Sequence, residues 1–528
     1  MPPVRPMLSS NSLTSFGQRM AEIRCHSYVK CFSVQPPSRR LTQAVRRVHL
    51  SGVVGAVTFN APSKGDELPS CPPAPAAKMR PLEWLSLLAF LPALLLPWLL
   101  RSGRRPWVFD VAALLPLLAT LAQLLLEGWR VQMVPLYLLA ALVLVTRLRS
   151  RRRTPGTGRP TRLRTGVTAL VLAAGAVPAW VLPVVTLPRP TGPYAVGAVD
   201  RELGDPVRAR RLMVSIWYPA AQSGSRAPLT PFPGQVAAGL ATSFGVPAAA
   251  PLLQHLRYFT ASATRNAPLL PSASRFPVLV FSPGLVGVRF QNSGTFQELA
   301  SHGYVVVALD HTDAAAVTVF PDGEVRGYDL GRLGIQPDEL EKSTRSLLPT
   351  WVADQRLVYD TLTTWAAADP TFGDRLDLRR IGSFGHSFGG VTALEVCRVE
   401  VRCRAAVNLD GGLPEGGLRP APRPVLLMTS SQSNNFAYAT QRWRQYLRAA
   451  TAPAAWLEVP RSTHYSLTIL PLMVPLLVPR AYDRAAGRDT ADHYVNAFFD
   501  RHLRGLPTRL LDRPARGAAG QGGVLWRE

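Results

Sequence analysis

At 528 residues, 47% of them hydrophobic, the chain is long enough for two or three domains and a large buried core. Its formal net charge of +25 is spread as +7 over residues 1–78, +10 over 79–187 and +8 over the remainder. The basic excess is thus densest beside apolar stretches, with no recognition motif, which fits membrane orientation and argues against a nucleic-acid partner. The five cysteines, Cys25, Cys31, Cys71, Cys397 and Cys403, form no paired metal-ligand spacing, so neither a metal nor another cofactor is expected.

Residues 1–78 are rich in Ser, Pro and Arg and show no sustained period of either kind. They read as an organelle transit peptide or as sequence upstream of a start at Met79. The lack of a clear amphipathic helix favours the second reading, and in either case no contribution to the fold is expected.

Residues 79–187 read as a transmembrane region of about four helices. Apolar stretches at about 82–100, 108–126, 131–146 and 166–187 match a hydrocarbon core of ~30 Å, the third only marginally. Trp84, Trp98, Trp107, Trp129 and Trp180 lie mostly near their ends, where indole rings favour the headgroup level. Arg101, Arg104 and Arg105 join the first two stretches, and a second Arg-rich run from Arg147 to Arg164 joins the last two. The positive-inside rule puts both loops in the cytoplasm and everything after Leu187 outside it. If the third stretch does not insert, that orientation reverses.

Residues 188–208 carry Pro and Gly without a period and read as a linker, and 209–505 as the catalytic domain. There, short apolar runs alternate with helical stretches, the pattern of an α/β sheet. The runs are Leu212–Tyr218, Val278–Phe281, Tyr304–Leu309, Ile381–Phe384, Ala405–Leu409, Val425–Met428 and Trp456–Val459. Continuous apolar strands suit a mostly parallel sheet buried on both faces. The Pro- and Ala-rich insert 219–275 reads as a lid or as a wrap around the sheet edge, and 506–528 as a flexible tail.

The run Gly385-His386-Ser387-Phe388-Gly389-Gly390 falls between the strand Ile381–Phe384 and a helical stretch beginning at Val391. Strand, Gly-flanked serine and helix in that order make a nucleophile elbow, with Ser387 as nucleophile. A serine needs a base, itself oriented by an acid, and in this fold both follow the serine in the chain. Of the three later histidines, His493 and His502 fall in an amphipathic final helix, whereas His464 follows a late strand and is the expected base. The acid most often follows the strand corresponding to Val425–Met428, but the next loop, Thr429–Asn435, has no carboxylate. Asp410, at the carboxyl end of Ala405–Leu409, is therefore the expected acid, on the rim where open α/β sheets bind ligands. Backbone N–H groups of Phe388 and Leu285 are the expected oxyanion donors. Cys397 and Cys403 either close a small disulfide loop or remain two half-buried thiols.

These residues together resemble the platelet-activating-factor acetylhydrolases of the plasma and intracellular type II group. The stretch Phe276–Leu285 resembles that family's oxyanion strand and turn, Ala300–His311 its next helix end and strand, and Gly385–Gly390 its elbow. The 23-residue step from Ser387 to Asp410 is also similar to the family's spacing. The resemblance implies an α/β-hydrolase fold and a calcium-independent esterase that removes short or oxidised acyl chains from phospholipid-like esters. Two features depart from the pattern: Pro283 stands where the family commonly has His, and the apolar N-terminal region is foreign to its best-known members. An acyltransferase or thioesterase with the same triad, or a membrane-bound binding module without catalysis, are the alternatives. Asp310, His311 and Asp313 follow a strand near the same rim and read either as substrate contacts or, the favoured reading, as structural turn residues. Oligomeric state is left open.

Overall fold

The computed structural model describes residues 79–99, 106–151, 162–334, 340–475, 479, 486–512 and 525–527. The extension 1–78, the residues Arg101, Arg104 and Arg105, and most of the tail lie outside the described residues.

The sheet is built from β1 (Ala195–Asp205), β2 (Arg210–Ala220), β3 (Thr264–Arg265), β4 (Phe276–Ser282) and β5 (Val305–Leu309). It continues with β8 (Leu376–His386), β9 (Cys403–Leu409), β10 (Val425–Ser430), β11 (Ala454–Val459) and β12 (Leu525–Arg527); β6 (Val317–Val319) and β7 (Val325–Gly327) pair separately. Its order is β12-β11-β10-β9-β8-β4-β5-β2-β1-β3. The block from β5 to β11 is parallel throughout, while β1, β2 and β12 join antiparallel. The apolar runs are continuous because both faces are covered. Val278 and Val280 pack on one side with Val358, Leu362 and Trp443, while Leu279 and Phe281 pack on the other with Phe296, Phe498 and Phe499. Period-2 alternation thus divides one all-apolar strand between two cores. The α/β-hydrolase architecture expected from the sequence is the one observed.

Two boundaries differ from expectation. The segment read as a linker contains β1, whose full length pairs with β2 in register from Ala195↔Ala220 to Asp205↔Arg210. Its apolar residues are few because it lies near the sheet's edge, where charged Asp200, Arg201 and Glu202 are tolerated. The tail contributes β12 as an edge strand against β11.

Three N-terminal helical stretches are long and apolar enough to cross a membrane: Pro81–Leu99, Pro106–Leu126 and Val131–Ser150. The third, expected to be marginal, spans 20 residues. It is the fourth that falls short, with an apolar portion of only Thr165–Val181. Pro183 stops that helix, and the following residues turn extended: Leu187 N–H bonds to the Thr260 carbonyl at 2.9 Å, and Val185 and Leu187 enter the sheet domain's core. The last part of that stretch, with Val185 and Leu187, therefore belongs to the catalytic domain.

One end of this helical region is fastened to that domain. Arg130 pairs with buried Glu83 at 2.7 Å, Leu82 N–H donates to Glu127 at 2.9 Å, and Arg130 also reaches the Leu182 carbonyl. The domain's insert meets the same end: Tyr258 Oη donates to the Trp129 carbonyl at 2.7 Å and Gln132 Nε2 to the Leu252 carbonyl at 2.7 Å. The insert thus braces the helices rather than hanging free, and its Val236 and Leu240 join the main core. At the opposite end Arg147 pairs with Asp110 at 2.7 Å.

Cys397 and Cys403, in and after the helix Phe388–Val399, are joined as a disulfide with Cα atoms 5.0 Å apart. The loop it closes is short, so the chain-entropy effect is about 2 kcal/mol. Replacing both cysteines by Ala should lower the denaturant midpoint correspondingly; a midpoint that reducing agent leaves untouched in the wild type would show that the bond does not form.

Candidate active site

β8 is a central strand, and its last residue, His386, delivers the chain into the turn at Ser387. Ser387 has φ +54° and ψ −126° and is at once followed by the helix Phe388–Val399. This left-handed conformation of a non-glycine residue is strained, and it is held from outside by Ser387 N–H donating to the Leu409 carbonyl at 2.8 Å. Glycine is required on both sides: a Cβ at Gly389 would collide with the Ser282 and Pro283 carbonyl oxygens, and one at Gly385 with that of Gly389.

Asp410 follows β9 and turns back at φ +56°, a conformation Asp tolerates better than most residues. Its Oδ2 lies 2.8 Å from His464 Nδ1, which arrives from the 3₁₀ turn His464–Leu467 after β11. The carboxylate is buried, yet both of its oxygens accept hydrogen bonds. Ser430 N–H donates to Oδ1 at 2.7 Å, and the Ser430 and Ser433 hydroxyls each donate to Oδ2 at 2.8 Å. Burial alone would raise its pKa, but His464 and these donors outweigh it and hold the carboxyl below its ordinary range. The loop that lacked a carboxylate in the sequence is thus filled with hydroxyls that serve the acid from one strand away.

In the sequence His386 stands out only as a member of the glycine-flanked turn. Its ring is buried 4.5 Å from that of His464, and Nε2–H donates to the His464 carbonyl at 2.8 Å. Nδ1 must then accept, and Gln291 Nε2 supplies the hydrogen at 2.9 Å. Burial, reinforced by repulsion from His464, pushes the His386 pKa down to about 3, so the ring stays neutral. Asn292 Nδ2 holds the far end of the same turn by donating to the Leu467 carbonyl at 2.7 Å. No sequence signal marked Gln291, Asn292, Ser430 or Ser433, because their roles are contacts across strands.

The turn after β4 brings Gly284 against the serine: a Cβ there would lie 3.1 Å from Ser387 Cβ. Among the described residues, neither the Leu285 nor the Phe388 backbone N–H bonds to another group. Both side chains belong to an apolar cluster with Leu330, Leu347, Trp351 and Val391. Asp310, His311 and Asp313 are all buried and engaged elsewhere: Asp310 with Arg289, His311 with Asp354 and Asp313 with Arg326. No group of three or more His, Cys, Asp or Glu able to hold a metal occurs among the described residues.

A serine strained between a central parallel strand and its following helix, on this sheet order, marks the α/β-hydrolases, and this chain has that fold. Comparison with known proteins narrows the kinship. Residues 180–326 match the family model of "Platelet-activating factor acetylhydrolase, isoform II", a segment that includes the turn after β4 but ends before Ser387. A "Probable 1-alkyl-2-acetylglycerophosphocholine esterase" of Arthroderma benhamiae is 31% identical over 210 residues, covering 38% of this chain and 50% of that protein. The platelet-activating factor acetylhydrolase of Cavia porcellus is 28% identical over 244 residues, 43% of this chain and 55% of its own. The chain therefore spans about half the length of these curated relatives. A solved ferulic acid esterase from Streptomyces cinnamoneus aligns at TM-score 0.52 and 29% identity, covering 65% of this chain and 99% of that one. The chain is thus similar, over part of its length, to the platelet-activating factor acetylhydrolases, and carries an apolar helical region ahead of the sheet domain.

Proposed function

We propose that this protein is a serine-dependent carboxylic-ester hydrolase that removes short or oxidised acyl chains from phospholipid-like esters. The observation that carries the reading is the 2.8 Å pair between buried Asp410 and part-exposed His464, together with the strained turn at Ser387. With Asp410 accepting from Nδ1–H, His464 Nε2 is left bare to take the Ser387 proton as Oγ attacks the ester carbonyl. The oxyanion that forms is met by the free N–H groups of Leu285 and Phe388. His464 then returns the proton to the leaving alcohol, and a water activated by the same imidazole hydrolyses the acyl-enzyme. The apolar cluster around both donors suits a hydrocarbon acyl chain, and the names of the relatives point to glycerophospholipid esters. A panel of esters graded by acyl length, offered to the purified full chain, tests the substrate class. Turnover that rises steadily toward long unoxidised chains would overturn the short-acyl reading.

The same proposal places the protein in a membrane with its catalytic domain outside the cytoplasm. What supports this is that the helix ends near Pro81, Glu127 and Leu182 gather at the catalytic domain, while Arg147, Arg149 and Arg151 lie toward the other end. The Cys397–Cys403 bond suits an oxidising compartment. An impermeant thiol reagent should label a cysteine introduced at exposed Val207 in intact cells; labelling only after lysis would reverse the orientation.

A further inference from the structure

A second acid–imidazole–hydroxyl array lies beneath the first. His311 Nε2 is 2.9 Å from Ser282 Oγ, and His311 Nδ1 is 3.0 Å from Asp354 Oδ2. All three residues are fully buried. Counting donors and acceptors fixes the protons. Asp354 accepts from Arg208 at 2.6 Å and from Arg210 at 3.0 Å, and burial is outweighed by these partners and His311, so the carboxyl stays ionised. His311 therefore carries its hydrogen on Nδ1. Gln355 Oε1 accepts from Ser383 Oγ at 2.7 Å, and its Nε2 donates to Ser282 Oγ at 2.7 Å. Ser282 is left to donate its own hydrogen to the bare His311 Nε2. The tautomer is that of a hydrolytic triad, but a substrate has no path to this serine, which ends β4 with both sides of its hydroxyl engaged.

We infer that the Asp354–His311–Ser282 array is a positioning device for the oxyanion hole, an assignment that rests on the hydrolase reading above. Ser282 lies three residues before Leu285, and the residues between them approach the elbow on both sides. Gly284 faces Ser387, and the Ser282 and Pro283 carbonyls abut Gly389. Anchoring the Ser282 side chain fixes the point from which the donor turn departs. The other donor is reached through the ring. His311 stacks on Trp351 at 3.7 Å and 12°, and Trp351 packs edge-on against Phe388 at 4.7 Å. One buried network therefore holds the segments that carry both N–H groups. Donors preorganised in this way act on the charge that develops in the transition state and little on the ground-state ester. Asp354 ties the network to Arg208 and Arg210 and so keeps a carboxylate ionised where burial would neutralise it.

The test compares full-length wild type with Ser282→Ala, which removes one oxygen, and with His311→Phe, each checked for an unchanged thermal melt. The substrate is a water-soluble p-nitrophenyl acetate-type ester, and the transition-state probe is an aryl trifluoromethyl ketone. Ser282→Ala should lower kcat about tenfold with KM within about twofold, and weaken the ketone in parallel with kcat/KM. His311→Phe should do the same more severely; if it does not fold, Ser282→Ala alone decides. A folded Ser282→Ala protein with wild-type kcat and ketone affinity overturns the inference, as does a loss confined to KM. Fluorophosphonate labelling separates the two readings. It should vanish in Ser387→Ala with Ser282 intact, whereas labelling that persists there and disappears only on adding Ser282→Ala would make Ser282 a nucleophile and end the positioning role. Turnover retained by Ser387→Ala would instead sink the hydrolase reading itself.

Discussion

Ser387→Ala should lower kcat toward the esters of the proposed class by ~10³–10⁶ while leaving the fold intact. The side chain removed is small, and the turn is held by backbone contacts that alanine preserves. Ser387 N–H still reaches the Leu409 carbonyl, and Gly390 N–H still reaches the residue 387 carbonyl at 2.9 Å. What disappears is the only hydroxyl at the elbow. The proposed oxyanion donors, Leu285 and Phe388 N–H, and the apolar cluster remain, so binding should persist and residual acceleration over water should be measurable. Steady-state kinetics beside a thermal melt checks both parts. Equal turnover by the two proteins would remove the covalent mechanism.

The second large effect is expected at the acid. Asp410→Asn should lower kcat by ~10⁴ for a reason that the hydrogen-bond map makes specific. Oδ1 accepts from Ser430 N–H, so the amide oxygen of Asn will take that place and put its NH₂ where Oδ2 now stands. That group donates to His464 Nδ1 instead of accepting from it. The imidazole proton must then sit on Nε2, the nitrogen that has to be bare to receive a proton from Ser387. The base is present, correctly placed and in the wrong tautomer, which nitrogen-15 NMR of the labelled histidine can read. A harmless Asn at 410, with another carboxylate found essential, would show the acid to be elsewhere. The same substitution has a signature in stability. Because the folded carboxyl is held below its ordinary value, the pair stabilises the fold above the unfolded pKa of ~3.9 and loses that contribution as pH falls through the lower folded value. The Asn protein should lack this acid-side loss.

Much of this was legible in residue order, for an identifiable reason. Strands such as Val278–Phe281 and Val425–Met428 are apolar at every position because each face meets its own core, so their signal is local and dense. The glycines around Ser387 are equally local, since the turn's own backbone leaves no room for a Cβ. The fourth apolar stretch misled because residues such as Val185 and Leu187 look alike whether lipid or a protein core covers them. Pro183 was the clue to where the helix ends. β1 was hidden because an edge position relaxes the demand for apolar side chains.

By itself, then, the sequence determined the parallel sheet and the glycine-flanked turn at Ser387, both of which arise from short-range pattern and steric necessity. Only the tertiary structure decided that Ser430 and Ser433 solvate the acid from the neighbouring strand. It also decided that His386 braces the His464 turn, and that a buried Asp354–His311–Ser282 array underlies the loop after β4. Those are hydrogen bonds between residues 20 to 78 positions apart. A hydroxyl or an imidazole carries no mark in the sequence of which distant partner the sheet will bring to it.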